Sequence, residues 1–302
     1  MSQNELGTNR IPSINSDEKI LQVLKESNDY LESDKETSSK IKEILSIFNH
    51  IEDLIPQTVE KVLSGHMFPV IEAGIELESS VELCKLGFYK HAMIALRNTL
   101  EMGILSVYWD LEGKSHIHIQ NWLHSLIDTP WKKTVFQKLK TNQNIKNFDD
   151  KHNILDYFDD LFKELSNFVH TKGRIHSSMD LGNANFNRFN EKSFLRWADF
   201  TRKVVTFITI IHVLKYPIAL QHTPLDQKFG LNGPVGGFLE PYQSEAIRKF
   251  LEKDIVKTLQ EISDLDDEAT SIAQSINERP DVTENEMREQ EKELKKIHQK
   301  SN

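Results

Sequence analysis

Covalent staples, tight turns and membrane spans are all poorly supplied in this sequence. Its 302 residues include one cysteine, Cys84, so no internal disulfide framework is available and a reducing compartment is expected. Cys84 sits in an apolar helical pattern and reads as a buried, inert thiol. Glycine (12) and proline (9) are scarce, which leaves long uninterrupted stretches for helices. The strongest apolar run, 204–214, is cut short by His212, Lys215 and Pro217, below the roughly 20 residues a membrane span requires. The opening MSQNELGTNRIPSINSDE has neither the basic start nor the apolar core of a signal peptide. A protein of the cytoplasm that does not enter the membrane is expected.

Enzyme signatures are missing too. GLNGPVGG at 230–237 lacks the Lys-Ser/Thr of a phosphate-binding loop and follows no strand. There is no Gly-x-Ser-x-Gly elbow, no Cys–His nucleophile and no kinase motif set. His116, His118 and His124 have no metal-ligand spacing, since the first two point apart on a helix. Neither a metal nor a cofactor is expected.

Charge is present but uneven. The total is −9, yet residues 129–203 carry 14 basic and 9 acidic groups, against 11 and 20 in residues 1–128. A locally positive middle serves an anionic partner, or it faces the acidic ends of the same chain.

The apolar pattern predicts an all-α fold, a multi-helix up-and-down bundle with a long C-terminal amphipathic helix. Residues 1–16 are polar and patternless, the composition of a disordered tail. An N-terminal helical region follows over 17–64, with a second helix from Lys40 that Pro56 ends. The central bundle spans 65–220, a Gly/Pro-rich loop 221–241, and a C-terminal helix with a charged tail 242–302. Within the bundle, 67–86 is a helix that Gly87 caps, and the central helix of the stretch 87–113 begins immediately, so the two fold back as a hairpin. Thr129-Pro130 opens a basic helix, the Asn-rich 141–150 is a connection, and 151–172 is the best-patterned helix. Residues 174–190 are a long loop. VVTFITIIHV, in the stretch 191–220, is rich in β-branched residues but is read as a buried helix, because no partner strands are visible.

Two polar groups are candidate sites. On the apolar 87–113 helix, Lys90, Arg97 and Glu101 share a face, and Asn98 borders it. Arg97 with Glu101 is either an ion pair that fixes packing or an anchor for phosphate. At the end of the 151–172 helix lie His170, Lys172, Arg174 and His176. These are either C-terminal caps or an anion-binding end suited to RNA.

ALRNTLEMGILSVYWDLEG and, some sixty residues on, LFKELSNFVHTKG resemble segments of bacterial helical proteins related to the HEPN superfamily (higher eukaryotes and prokaryotes nucleotide-binding). The resemblance spans roughly 66–215. It implies a four- or five-helix bundle, dimerisation, and roles in toxin–antitoxin, abortive-infection or RNA-processing systems. Active members of that superfamily carry an Arg followed four to six residues later by a His. Here only Arg97-Asn98 matches the start of that motif, and no His falls in the window. His170, reaching Arg97 across the bundle, is the one candidate for a catalytic partner. The expected function is therefore RNA binding or RNA action in phage defence. The alternative is a non-catalytic interaction protein that associates with a second copy or a partner protein through the 242–277 helix.

Overall fold

The computed structural model describes residues 17–112, 116–177, 188–231, 235–289 and 292. The expected tail 1–16, most of the 174–190 loop and the last ten residues lie outside them. Among the described residues the fold is all-α, with no strand. The helices are, in order, α1 (Asp17–Ser33), α2 (Lys35–Leu54), α3 (Val59–Ser64), α4 (Phe68–Lys85), α5 (Tyr89–Glu112), α6 (Ile117–Leu123) and α7 (Lys132–Leu139). They continue as α8 (Gln143–His152), α9 (Ile154–Val169), α10 (Glu191–Lys215), α11 (Leu225–Phe229), α12 (Pro241–Phe250), α13 (Lys253–Leu265) and α14 (Asp267–Asn277). Short 3-10 turns cover Arg174–His176 and Pro217–Leu220. No described helix is long and apolar enough to cross a membrane.

One core runs through the chain, from Ile41 on α2 to Leu259 on α13. α5 lies at its centre and packs on α4, α7, α9 and α10. Gly87 takes φ +77°, and a Cβ there would stand 3.1 Å from the Arg188 carbonyl. A glycine therefore both makes the α4–α5 turn and admits the returning chain. Across the hairpin Ser80 donates to the Ala92 carbonyl at 2.8 Å and accepts from the Trp197 indole at 2.8 Å. That one buried hydroxyl joins α4, α5 and α10.

Paired contacts fix the directions of α5's neighbours. The Asn190 amide donates to the Tyr89 hydroxyl, Gly103 abuts Ile208, and Ser106 faces His212. The residue numbers rise together, so α5 and α10 run parallel. Against α9 they run opposite ways: Lys90 meets Thr171, and Arg97 lies over Phe162. The β-branched 204–214 run is helical as expected, since an interior surrounded by α2, α5, α9 and α13 rewards apolar bulk more than propensity opposes it.

Several boundaries differ from those expected. α2 begins at Lys35, where the Asp34 carboxylate accepts from the Thr37 amide, so the linker before it shrinks to one residue. The Asn-rich stretch is a helix, α8: Asn142 caps it, and Ile145 and Phe148 are buried. Asn153 in the left-handed region (φ +50°) separates α8 from α9. Thr129 does not cap α7; its hydroxyl accepts from the Trp122 indole at 3.1 Å, and the helix starts at Lys132. The 221–241 stretch contains the short helix α11.

The expected long C-terminal helix is three helices. Arg202 donates to the Phe250 carbonyl at 2.7 Å, which satisfies a terminal carbonyl of α12 from outside the helix. Leu251 is then extended. Asp266 breaks the chain again by accepting from the Ala269 amide to start α14. The seam proposed for a partner is used within the chain: Ile247, Leu251 and Leu259 are buried in the core, and Ile255 and Ile262 pack against it, while Leu265 is exposed.

Candidate functional site

A cleft of about 390 Å³ opens between α5, α7 and α9. Its floor is apolar, made by Ile104 and Leu105 of α5, Val135 and Phe136 of α7, and Phe158 and Phe162 of α9. Arg97, Glu101, Asp128, Trp131 and Lys132 form the polar rim. Arg97 enters from the face of α5 that also carries Lys90 and Glu101. It donates to Glu101 at 2.7 Å and to Asn98 at 3.4 Å, and its guanidinium lies 4.8 Å from the centre of the Phe162 ring. Lys132 stands 5.7 Å from the same ring and pairs with Asp159. Trp131, the residue just before α7, is 83% exposed, unusual for the largest side chain in a chain with ample core.

The rim is close to electrically neutral. Arg97 and Lys132 each keep a carboxylate partner, and Asp128 adds a further negative charge. Such a cleft takes a flat, uncharged ring between aromatic and guanidinium surfaces more readily than an isolated phosphate.

The second candidate group lies further along the same α5–α9 seam. Lys90 donates to the Thr171 hydroxyl at 2.6 Å. His170, Lys172 and Arg174 are exposed beside it, and neither Lys172 nor Arg174 forms an ion pair among the described residues. His176 differs: it is buried, its Nδ1 donates to the Lys172 carbonyl at 2.9 Å, and its Nε2 lies 3.2 Å from Glu164. It closes the end of α9 and faces inward. Asn98 is similarly engaged, donating to Glu76 at 3.3 Å.

Arg97 and His170 do not share the cleft. Arg97 stacks on Phe162, which precedes His170 by eight residues, roughly 12 Å along a helix, and His170 is absent from the lining. Sequence reasoning found Arg97 and Lys90 but missed Trp131, Lys132 and Phe162. The signal available was an aromatic at a helix start, Trp131-Lys132-Lys133, next to a helix expected to be basic on one side.

Elsewhere, Asp110 on α5 is largely buried between Lys61 and Lys215, the latter at 3.0 Å. Burial alone would raise its carboxyl, but Lys215 and Lys61 outweigh that and hold it below the usual value. His212, fully enclosed, donates to the Ile208 carbonyl, and burial depresses it to about 4. Burial likewise drives the Cys84 thiol well above its ordinary range. No group of three or more His, Cys, Asp or Glu among the described residues is placed to hold a metal ion. Comparison with protein-family models, curated proteins and solved structures returns no match.

Proposed function

We propose that this is a HEPN-like helical protein that binds single-stranded RNA along the α5–α9 seam, in a phage-defence or abortive-infection setting. An unpaired base enters the cleft against Trp131 and Phe162, and the backbone runs toward Lys90, Lys172 and Arg174. The observation that carries this reading is the joining of an aromatic, near-neutral cleft to exposed cations on one helix–helix seam. Base stacking on aromatics with cations following the backbone is the general mode of single-strand recognition. The separation of Arg97 from His170 supports binding without cleavage by that pair. The superfamily and its biological setting rest on the Arg97-Asn98 and 161–173 resemblance.

The test is fluorescence anisotropy with a labelled single-stranded RNA at low salt. Trp131→Ala should weaken binding by about tenfold, given roughly 1–3 kcal/mol per stacked base, and Lys172→Ala/Arg174→Ala by a similar factor. Arg97→Lys, which keeps the charge but loses the planar stack, should weaken it less than Arg97→Ala. No binding by the unaltered protein at low salt would end the proposal, because phosphate contacts are strongest there.

A further inference from the structure

The charged groups on the rim of the α5–α7–α9 cleft are not equally free. Both oxygens of Glu101 accept from Arg97, at 2.7 and 3.5 Å, and Lys132 is held by Asp159. Asp128 is different. It lines the cleft and is exposed, and it has no hydrogen-bond or ion-pair partner among the described residues. It lies on the segment that leads through Trp131 into α7, so a carboxylate and the exposed indole open onto the same space.

An unpaired carboxylate is out of place beside a polyanion. Facing a phosphate it repels and opposes the pull of Lys90, Lys172 and Arg174 on the backbone. Facing the edge of a base it does the reverse, because a carboxylate accepts hydrogen bonds and donates none. The cleft keeps these two situations apart. Trp131 and Phe162 offer surfaces for the face of a ring, the cations stand further along the seam toward Thr171, and Asp128 is left for the ring's edge.

The four RNA bases present different edges to such an acceptor. Uracil offers one N–H between two carbonyl oxygens, which a carboxylate repels. Adenine and cytosine each offer an amine beside a ring-nitrogen acceptor. Guanine alone offers two adjacent donors, N1–H and the 2-amino group, and these match the two oxygens of one carboxylate in a parallel, charge-assisted pair. Unstacked RNA bases are commonly recognised through this edge. At about 390 Å³ the cleft is toward the small end of ligand pockets, which suits a single base.

Resting on the RNA-binding reading of the same cleft, we infer that it selects guanine, and that Asp128 sets the selection by accepting from N1–H and the 2-amino group. The protein then engages single strands at their guanines rather than by charge alone.

Anisotropy titrations of the full-length protein test this with uridine oligonucleotides carrying one central guanosine, adenosine or inosine. The guanosine strand should bind about tenfold tighter than the adenosine strand, the order expected for charged hydrogen bonds. Inosine, which lacks the 2-amino group, should fall between them, a comparison that needs no variant. In Asp128→Asn, an exposed change outside the core, the guanosine-to-inosine ratio should collapse toward unity, because the amide replaces one acceptor with a donor. If the substitution moves all three strands together and leaves that ratio intact, Asp128 acts only as a charge and the inference fails. Equal binding of the three strands by the unaltered protein also overturns it and leaves the RNA-binding reading standing, whereas no binding of any strand ends both. Guanosine monophosphate should compete only far above the RNA's own concentration, since it lacks the backbone that follows Lys172 and Arg174. Competition at the RNA's concentration would assign the cleft to a free nucleotide and overturn the inference.

Discussion

Single side chains hold this fold at points where they serve two partners. Ser80 is fully buried and satisfies both the Ala92 carbonyl and the Trp197 indole. Ser80→Ala strands the buried Trp197 indole N–H and should cost roughly 1–3 kcal/mol. Urea unfolding of Ser80→Ala, Trp197→Phe and the double variant should show a combined loss smaller than the sum. His212 gives the second prediction at this scale. Its folded value near 4 lies below the roughly 6.5 of an unfolded chain, so the unfolded state takes up a proton first. Stability should therefore fall as pH drops from about 6.5 toward 4, at up to roughly 1.4 kcal/mol per unit. In His212→Gln, unfolding midpoints between pH 7 and 5 should decline less steeply by that one proton. An equal slope would show that His212 is not the titrating group. Asp110 acts in a different window: its carboxyl is held low, so its contribution is present above the ordinary carboxylate range and is lost as pH falls through its lowered value.

Helices that bury a continuous apolar stripe could be read from the sequence, and α5, α9 and α10 follow the pattern that marks them. α8 could not, because asparagines act equally as turn formers and as helix caps, and only the burial of Ile145 and Phe148 distinguishes the two uses. The C-terminal breaks were hidden for the opposite reason. Spacing from Ile247 to Leu265 stays helical across Leu251–Glu252, while the Arg202 side chain that satisfies the Phe250 carbonyl at the break lies 48 residues away. α5 and α10 approach closely at Gly103, where an added Cβ would meet Ile208 Cδ1 at 2.6 Å. Gly103→Ala should separate α5 from α10 and cost about 1–3 kcal/mol. Ile208→Val, which removes that terminal carbon, should recover part of the loss, as read by thermal unfolding. At the candidate site, Arg97 stood out as a charge in an apolar helix, whereas the cleft depends on both α7 and α9 packing on α5, which no local pattern encodes.

At the scale of the whole molecule, the positive middle of the sequence does not become a uniformly positive surface. Lys138 pairs with Glu112, Lys151 with Glu261 and Arg202 with Glu43, each partner lying in one of the acid-rich parts of the chain. Local charge was legible; its internal neutralisation was not, since it depends on which helices meet. The cations left for a polyanion are few, so the salt dependence of RNA binding should be shallow. With about three phosphates engaged by Lys90, Lys172 and Arg174, log K should fall against log salt with a slope of about −2. Anisotropy titrations from low to moderate salt measure it, and a slope several-fold steeper would mean that another surface carries the RNA.

The packing of α2 on α10 also has a consequence in time. Ile44, Ile47 and Ile51 of α2 are buried, and α10, its main cover, begins at Glu191, roughly 140 residues after α2 ends. At about 5–20 residues per second of synthesis, α2 waits on the order of ten seconds or more outside the ribosome before its cover exists. α4 and α5 need no such delay, since they are consecutive and close on each other at Gly87. The hairpin can therefore assemble long before α10 exists, whereas the inner face of α2 is one that a nascent-chain chaperone has a long opportunity to hold.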